Sequence, residues 1–301
     1  MESNTISIVI PCYNSSKRIV DCIRAIKDSL NSLINKNKFE IIVVNDGSTD
    51  DTASIISKET GITIITHSKN KGLSSARNSG IEASNSEYIV FIDSDIIIEK
   101  DWIPKTLDLL MSDSSIMGVI GHLARPLTKK KTSLLDIYLF SNYRGAKKID
   151  NKTPLFYKWF VFSNTIIKRH LLKKTGCFDE NICAYGGEDT ELSVRINKKL
   201  PYGLRKAEDA IAYHYCDKSL NVYMKNMYDY GLNNFNYIIK KHPDYKQNLN
   251  GNVPKSFMGY LIFNPFNASL CSLLLKFIKH PLLIKFLVIN SFVRGVRNSK
   301  K

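Results

Sequence analysis

The 301-residue sequence is as informative for what it lacks as for what it holds. It has no Cys-x-x-Cys pair and no zinc-like ligand spacing, which excludes a structural zinc site and a disulfide framework. Its six cysteines (Cys12, Cys22, Cys177, Cys183, Cys216, Cys271) read as isolated, mostly buried thiols of a reducing compartment. No basic segment followed by an apolar core opens the chain at Met1-Glu2-Ser3-Asn4, so a cytoplasmic location is expected. No Gly-x-Gly-x-x-Gly follows the first apolar run, which argues against a dinucleotide-binding domain. Acid is scarce at one end: Asp244 is the only carboxylate from Lys240 to Lys301, and about ten of the +15 net charges fall there. That tail favours an anionic partner, a membrane surface or a phosphorylated substrate. No recognition motif accompanies the charge, so nucleic acid is not expected.

What is present is a folded α/β chain, 44% apolar and 24% charged. Residues 6–10, 39–44 and 88–92 are short apolar runs that read as buried strands, and 62–66 reads as a further short strand. Helical segments separate them: one capped by Ser15 or Ser16 and running to about Leu33, one opening at Thr49 or Asp50, and one carrying Ala76, Arg77 and Ile81. Alternation of this kind predicts βαβ units and an open, mostly parallel sheet flanked by helices. Right-handed crossovers then bring the polar turns after the strands to one edge, where ligands of such sheets bind. Three clusters share that edge: Pro11-Cys12-Tyr13-Asn14, Asn45-Asp46-Gly47-Ser48 and Asp93-Ser94-Asp95. The last ends a buried strand in two carboxylates two residues apart, a spacing that puts both on one side. Alone, such a pair is as consistent with a helix cap as with a divalent cation.

Read together, the motifs resemble the family 2 glycosyltransferases, whose catalytic domain has the GT-A fold. The stretches are Ser7-Ile8-Val9-Ile10-Pro11-Cys12-Tyr13-Asn14, Val44-Asn45-Asp46-Gly47-Ser48-Thr49-Asp50, Asn70-Lys71-Gly72-Leu73-Ser74-Ser75-Ala76-Arg77-Asn78 and Phe91-Ile92-Asp93-Ser94-Asp95. Gly176-Cys177-Phe178-Asp179-Glu180 and Gly186-Gly187-Glu188-Asp189-Thr190-Glu191-Leu192 follow, all in family order over roughly residues 6–215. The resemblance implies that Pro11 and Tyr13 flank a nucleobase, that Asp46 accepts the imino proton of a uracil, and that Arg77 lies near base or phosphates. It extends the donor-binding set to Asn14, Lys71 and Ser94. It implies that Asp93 faces ribose and metal, and that Asp95 binds Mn²⁺ or Mg²⁺ bridging the diphosphate. In some relatives a histidine after a strand completes the metal site, and His214 follows the apolar run 210–213. Asp189 would be the general base of an inverting transfer, with Glu188 or Glu191 supporting it, although three acids opening a helix also simply complement its dipole.

Residues 122–155 read as a variable connection with a short helix over 133–140, residues 156–162 as β-like, and Ser163-Asn164 as preceding a helix. Processive relatives carry Gln-x-x-Arg-Trp and several transmembrane helices; neither Trp102 nor Trp159 follows an arginine, so a non-processive enzyme is expected. The division is a catalytic domain over residues 1–218 and a basic helical region over 219–301, with a helix over 219–242. Two later apolar stretches, 257–278 and 282–296, are broken by Asn264-Pro265-Phe266-Asn267 or carry Lys276 and Lys285. A spanning helix needs about 20 mostly apolar residues. On a helix, Phe286, Ile289, Val293 and Val296 share a face bordered by Lys285, Arg294, Arg297, Lys300 and Lys301, which suits an interfacial helix on an anionic leaflet; packing onto the catalytic domain is the competing reading. The expected partners are a nucleoside-diphosphate sugar, UDP-linked first, and a glycan or lipid-linked hydroxyl acceptor. Alternatives are a polyprenyl-phosphate glycosyltransferase using a UDP- or GDP-sugar and a non-catalytic sugar-binding module.

Overall fold

The computed structural model describes residues 4–33, 37–146 and 149–299. Strands buried on both faces set the architecture. In β1 (Asn4–Cys12), Ile6, Ile8 and Ile10 enter one apolar cluster while Val9 enters another on the opposite face. In β4 (Tyr88–Ile92), Tyr88, Val90 and Ile92 join the first cluster and Ile89 and Phe91 the second. That is the period-2 alternation of a strand with cores above and below it.

β1 pairs in parallel with β2 (Asn37–Asn45) and with β4, and β3 (Thr63–Thr66) extends the sheet beyond β2. The crossovers are α1 (Ile19–Leu30), α2 (Thr52–Ile56) and α3 (Leu73–Ala83). Next come β5 (Ile96–Ile98), α4 (Trp102–Met111), β6 (Gly118–Ala124), α5 (Leu134–Leu139), β7 (Asn164–Lys168), α6 (Arg169–Thr175), α7 (Glu188–Lys199) and β8 (Leu204–His214). The sheet order is β3-β2-β1-β4-β7-β6-β8-β5. β7 runs antiparallel to both its neighbours and β5 antiparallel to β8, so the sheet is parallel on one side and mixed on the other.

Three expectations are revised. Residues 156–162 do not form a strand: Tyr157–Trp159 is a 3-10 turn. The rings there pack edge to face instead, Phe160 on Phe162 at 5.1 Å and Phe162 on Phe178 at 4.9 Å, so aromatic content marked core filling and not a pleat. Asn164, expected before a helix, opens β7, and the helix follows it. Only three of the six thiols, Cys12, Cys22 and Cys216, are buried; Cys177 and Cys183 are exposed.

The C-terminal region comprises α8 (Leu220–Asp229), a π turn over Tyr230–Asn234, α9 (Phe235–Lys241), α10 (Phe257–Ile262), α11 (Pro265–Leu275) and α12 (Pro281–Asn298). α12 lies against α8 and the π turn, burying Ile284, Leu287, Val288, Val293 and Val296. A Cβ built on Gly231 would lie 2.9 Å from the Val296 nitrogen, and one on Gly295 2.9 Å from the Leu232 nitrogen. Two backbones that close tolerate only glycine. The face of α12 expected to meet a membrane is therefore largely spent on the protein. Lys300, Lys301 and Met1-Glu2-Ser3 lie outside the described residues. Among the described residues, no helix is long and apolar enough to cross a membrane.

Candidate active site

Two cavities meet at the C-terminal ends of β1, β2 and β4. One, of about 590 Å³, is lined by Pro11, Tyr13, Asn14, Asp46, Ser94 and the loop around Asn70. The other, of about 730 Å³, is lined by Arg77, Arg144, Trp159, Glu188, Asp189 and His214 among others. Asp93, Asp95, Leu73 and Lys218 border both. The β4 turn thus sits where material bound in one cavity would face material bound in the other.

In the first cavity most of the expected residues hold the loops around it. Asp46 is 3% exposed and accepts from His67 Nδ1 at 2.6 Å and from the amides of Lys71 and Gly72, both at 2.9 Å. Its neighbour Gly47 has φ +68°, and a Cβ there would lie 2.6 Å from the Asn70 nitrogen; only glycine lets the two loops approach so closely. Asn14 adopts φ 52° and accepts from the Thr49 amide at 2.8 Å, pinning the β2 turn. Ser94 Oγ meets Ser15 Oγ at 2.7 Å. Tyr13 keeps its ring 46% exposed, free to stack on a planar ligand. Lys71 contributes its backbone amide, its side chain being exposed. His67 carried no signal in the sequence, because its role depends on a contact 21 residues away.

Arg77 organises the junction. Projecting from α3 and 1% exposed, it donates to Asp189 Oδ1 at 2.8 Å and Asp93 Oδ1 at 3.1 Å, and lies 3.6 Å from Glu188. The Phe178 ring lies 5.1 Å from its guanidinium carbon. The structure places Arg77 with the acids of the second cavity. Burial drives the Asp93 carboxyl upward, against the pull of Arg77. Burial and the adjacent Asp189 push Glu188 up to about 7. Three carboxylates share one guanidinium, so the cluster is short of positive charge.

Asp95 pairs with His214, the last residue of β8, at 3.3 Å between Oδ2 and Nε2. Burial alone would raise the Asp95 carboxyl, but the hydrogen bond and charge of His214, with Lys218 nearby, bring it below its usual value. Asp93 is turned to Arg77 instead, and no group of three or more ligating side chains converges on one point among the described residues. An oxygen and a nitrogen donor 3.3 Å apart still suit two adjacent positions on a small divalent ion whose ligands lie about 2.0–2.2 Å out. The residues fit such an ion as a pair, leaving its other positions for phosphate oxygens.

The second cavity has an acidic rim and a basic, aromatic wall. Arg144 lies 5.7 Å from the Tyr138 ring and donates to Tyr223 Oη at 3.4 Å; no carboxylate pairs with it among the described residues. Lys206, 3% exposed, donates to the Ile149 carbonyl at 3.1 Å. Asn234 of the π turn donates to the Gly186 carbonyl at 2.7 Å and the Ala184 carbonyl at 3.0 Å, fixing the loop that delivers Glu188 and Asp189. π turns recur beside functional sites. Neither Arg144 nor Asn234 stood out in the sequence, since neither belongs to a motif.

A glycosyl transferase family 2 model matches residues 7–176. Among curated proteins, "Probable glycosyltransferase YdaM" of Bacillus subtilis (strain 168) is 31% identical over 228 residues, covering 69% of this chain and 50% of that protein. Chondroitin synthase of Escherichia coli is 27% identical over 246 residues, covering 69% of this chain and 34% of that protein. The chain thus spans between a third and a half of the length of these two relatives. Among solved structures, the mannosyltransferase PcManGT of Pyrobaculum calidifontis, in complex with GDP-Man and Mn²⁺, superposes with a TM-score of 0.67 at 17% identity, covering 100% of this chain and 89% of that one. S. aureus TarS 1-349 with UDP gives a TM-score of 0.55 at 18% identity, over 97% and 90%. Glucosyl-3-phosphoglycerate synthase of Mycobacterium tuberculosis, with Mn²⁺, UDP and glucosyl-3-phosphoglycerate, gives 0.52 at 19%, over 74% and 76%. At these identities the structural likeness bears on the fold, and that fold is the GT-A glycosyltransferase fold.

Proposed function

Because the chain belongs to the family 2 glycosyltransferases, we propose that it carries out one inverting, non-processive sugar transfer from a nucleoside-diphosphate sugar, UDP-linked first, to a hydroxyl of a glycan or lipid-linked acceptor. The first cavity takes the nucleotide, with Tyr13 against the base, and the second takes the acceptor. Neighbouring structures that hold UDP or GDP-Man support a nucleotide-linked donor. The observation that carries the reading is the junction between the cavities: Asp95 with His214 on one side, Asp189 on Arg77 on the other.

Arg77 occupies Asp189 Oδ1 and leaves Oδ2 for a substrate hydroxyl. Asp189 takes the acceptor proton while the acceptor oxygen bonds to the anomeric carbon and the bond from that carbon to the diphosphate breaks. The charge leaves with the nucleotide, and attack opposite the leaving group inverts the centre. Glu188, raised to about 7, retains a proton over part of the neutral range and limits the negative charge beside the base. Asp95 and His214 would hold Mn²⁺ or Mg²⁺, which supplies neutralisation of the charge that develops on the departing diphosphate. Asp93 orients Arg77 beside them. The proposed location is cytoplasmic and peripheral on an anionic membrane face.

A second reading is favoured by Arg144. Arg144 is half-buried and meets no carboxylate among the described residues, and an acceptor bearing a phosphate or another anion would complement it in the second cavity. The test of both readings is release of nucleoside diphosphate from UDP-, GDP- and dTDP-sugars with Mn²⁺ and no acceptor. Slow hydrolysis of one donor, lost with EDTA and in Asp95→Asn, is the expected result. No hydrolysis and no metal-dependent donor binding would remove the proposal. Acceleration by phosphorylated over neutral acceptors, lost in Arg144→Gln, would select the second reading.

A further inference from the structure

α10, α11 and the turn after α11 carry an apolar surface that the other described residues do not cover. Phe257 is 82% exposed, Phe266 77% and Phe277 79%, and Leu261, Leu270 and Leu273 stand beside them half exposed. The helices beneath it are capped. Ser256 caps α10 by accepting from the Gly259 amide at 3.0 Å, and Asn264 caps α11 by accepting from the Asn267 amide at 2.9 Å. Arg297 of α12 donates to the carbonyls of Pro254 at 2.7 Å and Phe263 at 2.5 Å, with its guanidinium 4.0 Å from the Tyr260 ring. The inner side of α11 is apolar as well: Ala268, Cys271 and Leu275 pack on Tyr138, Tyr223, Ile284 and Leu287. A helix apolar on both sides needs a second apolar environment on its outer side.

We propose that this α10–α11 face inserts into the interfacial layer of an anionic bilayer, in the plane of the membrane. Its charge selects that occupant. No Asp or Glu follows Asp244. Lys255, Lys276 and Lys279 border the apolar residues, exposed and without a carboxylate partner among the described residues. A second copy on a two-fold axis would set this acid-free surface against itself, lysine near lysine. Anionic headgroups complement it, and the side chains are those of an interfacial helix, Phe and Leu with Lys at the border. α10 and α11 are 6 and 11 residues long, too short to span. Tyr138, Leu139 and Tyr223, packed in the same cluster as α11, also line the second cavity. The membrane face therefore lies one side-chain layer from the acceptor site, which assigns a membrane-borne, lipid-linked acceptor. This inference rests on the reading of that cavity as the acceptor site.

The experiment is co-sedimentation of the full chain with phosphatidylcholine vesicles containing or lacking about 30% phosphatidylglycerol, alongside acceptor-free donor hydrolysis. Wild type binds the anionic vesicles. Phe257→Ser/Phe266→Ser/Phe277→Ser lowers partitioning at least about tenfold, Lys255→Gln/Lys276→Gln/Lys279→Gln removes the preference for anionic lipid, and both keep the wild-type hydrolysis rate. Equal binding of wild type and the Phe variant overturns the proposal. So does absence of binding, or concentration-dependent dimerisation through the same residues in its place. Vesicle binding with no donor hydrolysis would keep the surface and remove the catalytic reading, so the two fail separately.

Discussion

Two groups of acids stand one turn apart on the first coils of α7, balanced in opposite ways. Glu188 and Asp189, with Asp93 across from them, share the single guanidinium of Arg77. Glu191, 0% exposed, is met by Arg195 at 2.6 Å, Lys241 at 2.8 Å and His242 at 3.0 Å. Lys241 also reaches Asp179 at 2.5 Å, and Tyr237 donates to the same carboxylate at 2.7 Å. Burial opposes ionisation in both groups. In the first it wins for Glu188 and Asp93, whose carboxyls are raised. In the second it is outweighed by the hydrogen bonds of Arg195 and Lys241, and both Glu191 and Asp179 are lowered. The same residue type on the same helix is thus left short of positive charge where it lines the second cavity and fully satisfied where α7 is tied to α6 and α9. Perturbation of Glu188 and Asp93 toward the neutral form, in a cavity, is the pattern the proposed catalytic role of the first group calls for.

The comparison can be broken in several ways, the largest first. Arg77→Met should leave three carboxylates in a buried site without their cation and cost about 4 kcal/mol. A chemical-denaturation midpoint near wild type would show that the acids are already compensated by solvent. Glu191→Gln should lower stability by about 3 kcal/mol, because Arg195, Lys241 and His242 then face a neutral amide; acceptor-free hydrolysis per folded molecule should stay at the wild-type rate. The groups should also separate along the pH axis. The folded carboxyl of Glu188, at about 7, lies above its ordinary 4.5, so its contribution is present below the ordinary value and lost as pH rises through about 7. Glu191 and Asp179 are lowered, so theirs is present above the ordinary carboxylate range and lost only as pH falls through their depressed values. Melting of wild type should therefore improve from about pH 8 to about pH 5.5, and Glu188→Gln should flatten that rise while leaving acid unfolding unchanged. The smallest effect is that of Asp179→Asn, about 1 kcal/mol by the same unfolding assay, since Lys241 keeps Glu191.

The sequence disclosed the parallel side of the sheet because β1, β2 and β4 are two-sided apolar runs closed by polar turns. Of β8 it disclosed only the end, the apolar run 210–213 before His214; β6 and the mixed stretch 204–209 went unread, since their pairing is decided by partners far along the chain. The acids at the strand and helix ends were legible as types at turns. The resemblance set His214 beside Asp95, as the structure does, but the partners of the α7 acids were not legible, since Arg77 meets Asp189 across 112 residues, and no local pattern distinguishes Asp189 from Glu191. The tail was half legible. Its charge and amphipathic period showed in the sequence, but the close approach of Gly295 to the π turn decides that α12 is covered while α10 and α11 are left open.

The central claim is that Asp189 works while Glu191 holds. Its most direct test is the acceptor-free hydrolysis rate of Asp189→Asn on the donor wild type uses, measured beside its unfolding midpoint. The account predicts a fall of about a hundredfold or more with the midpoint unchanged or raised. A wild-type rate, or a loss of activity matched by a loss of stability, would contradict it.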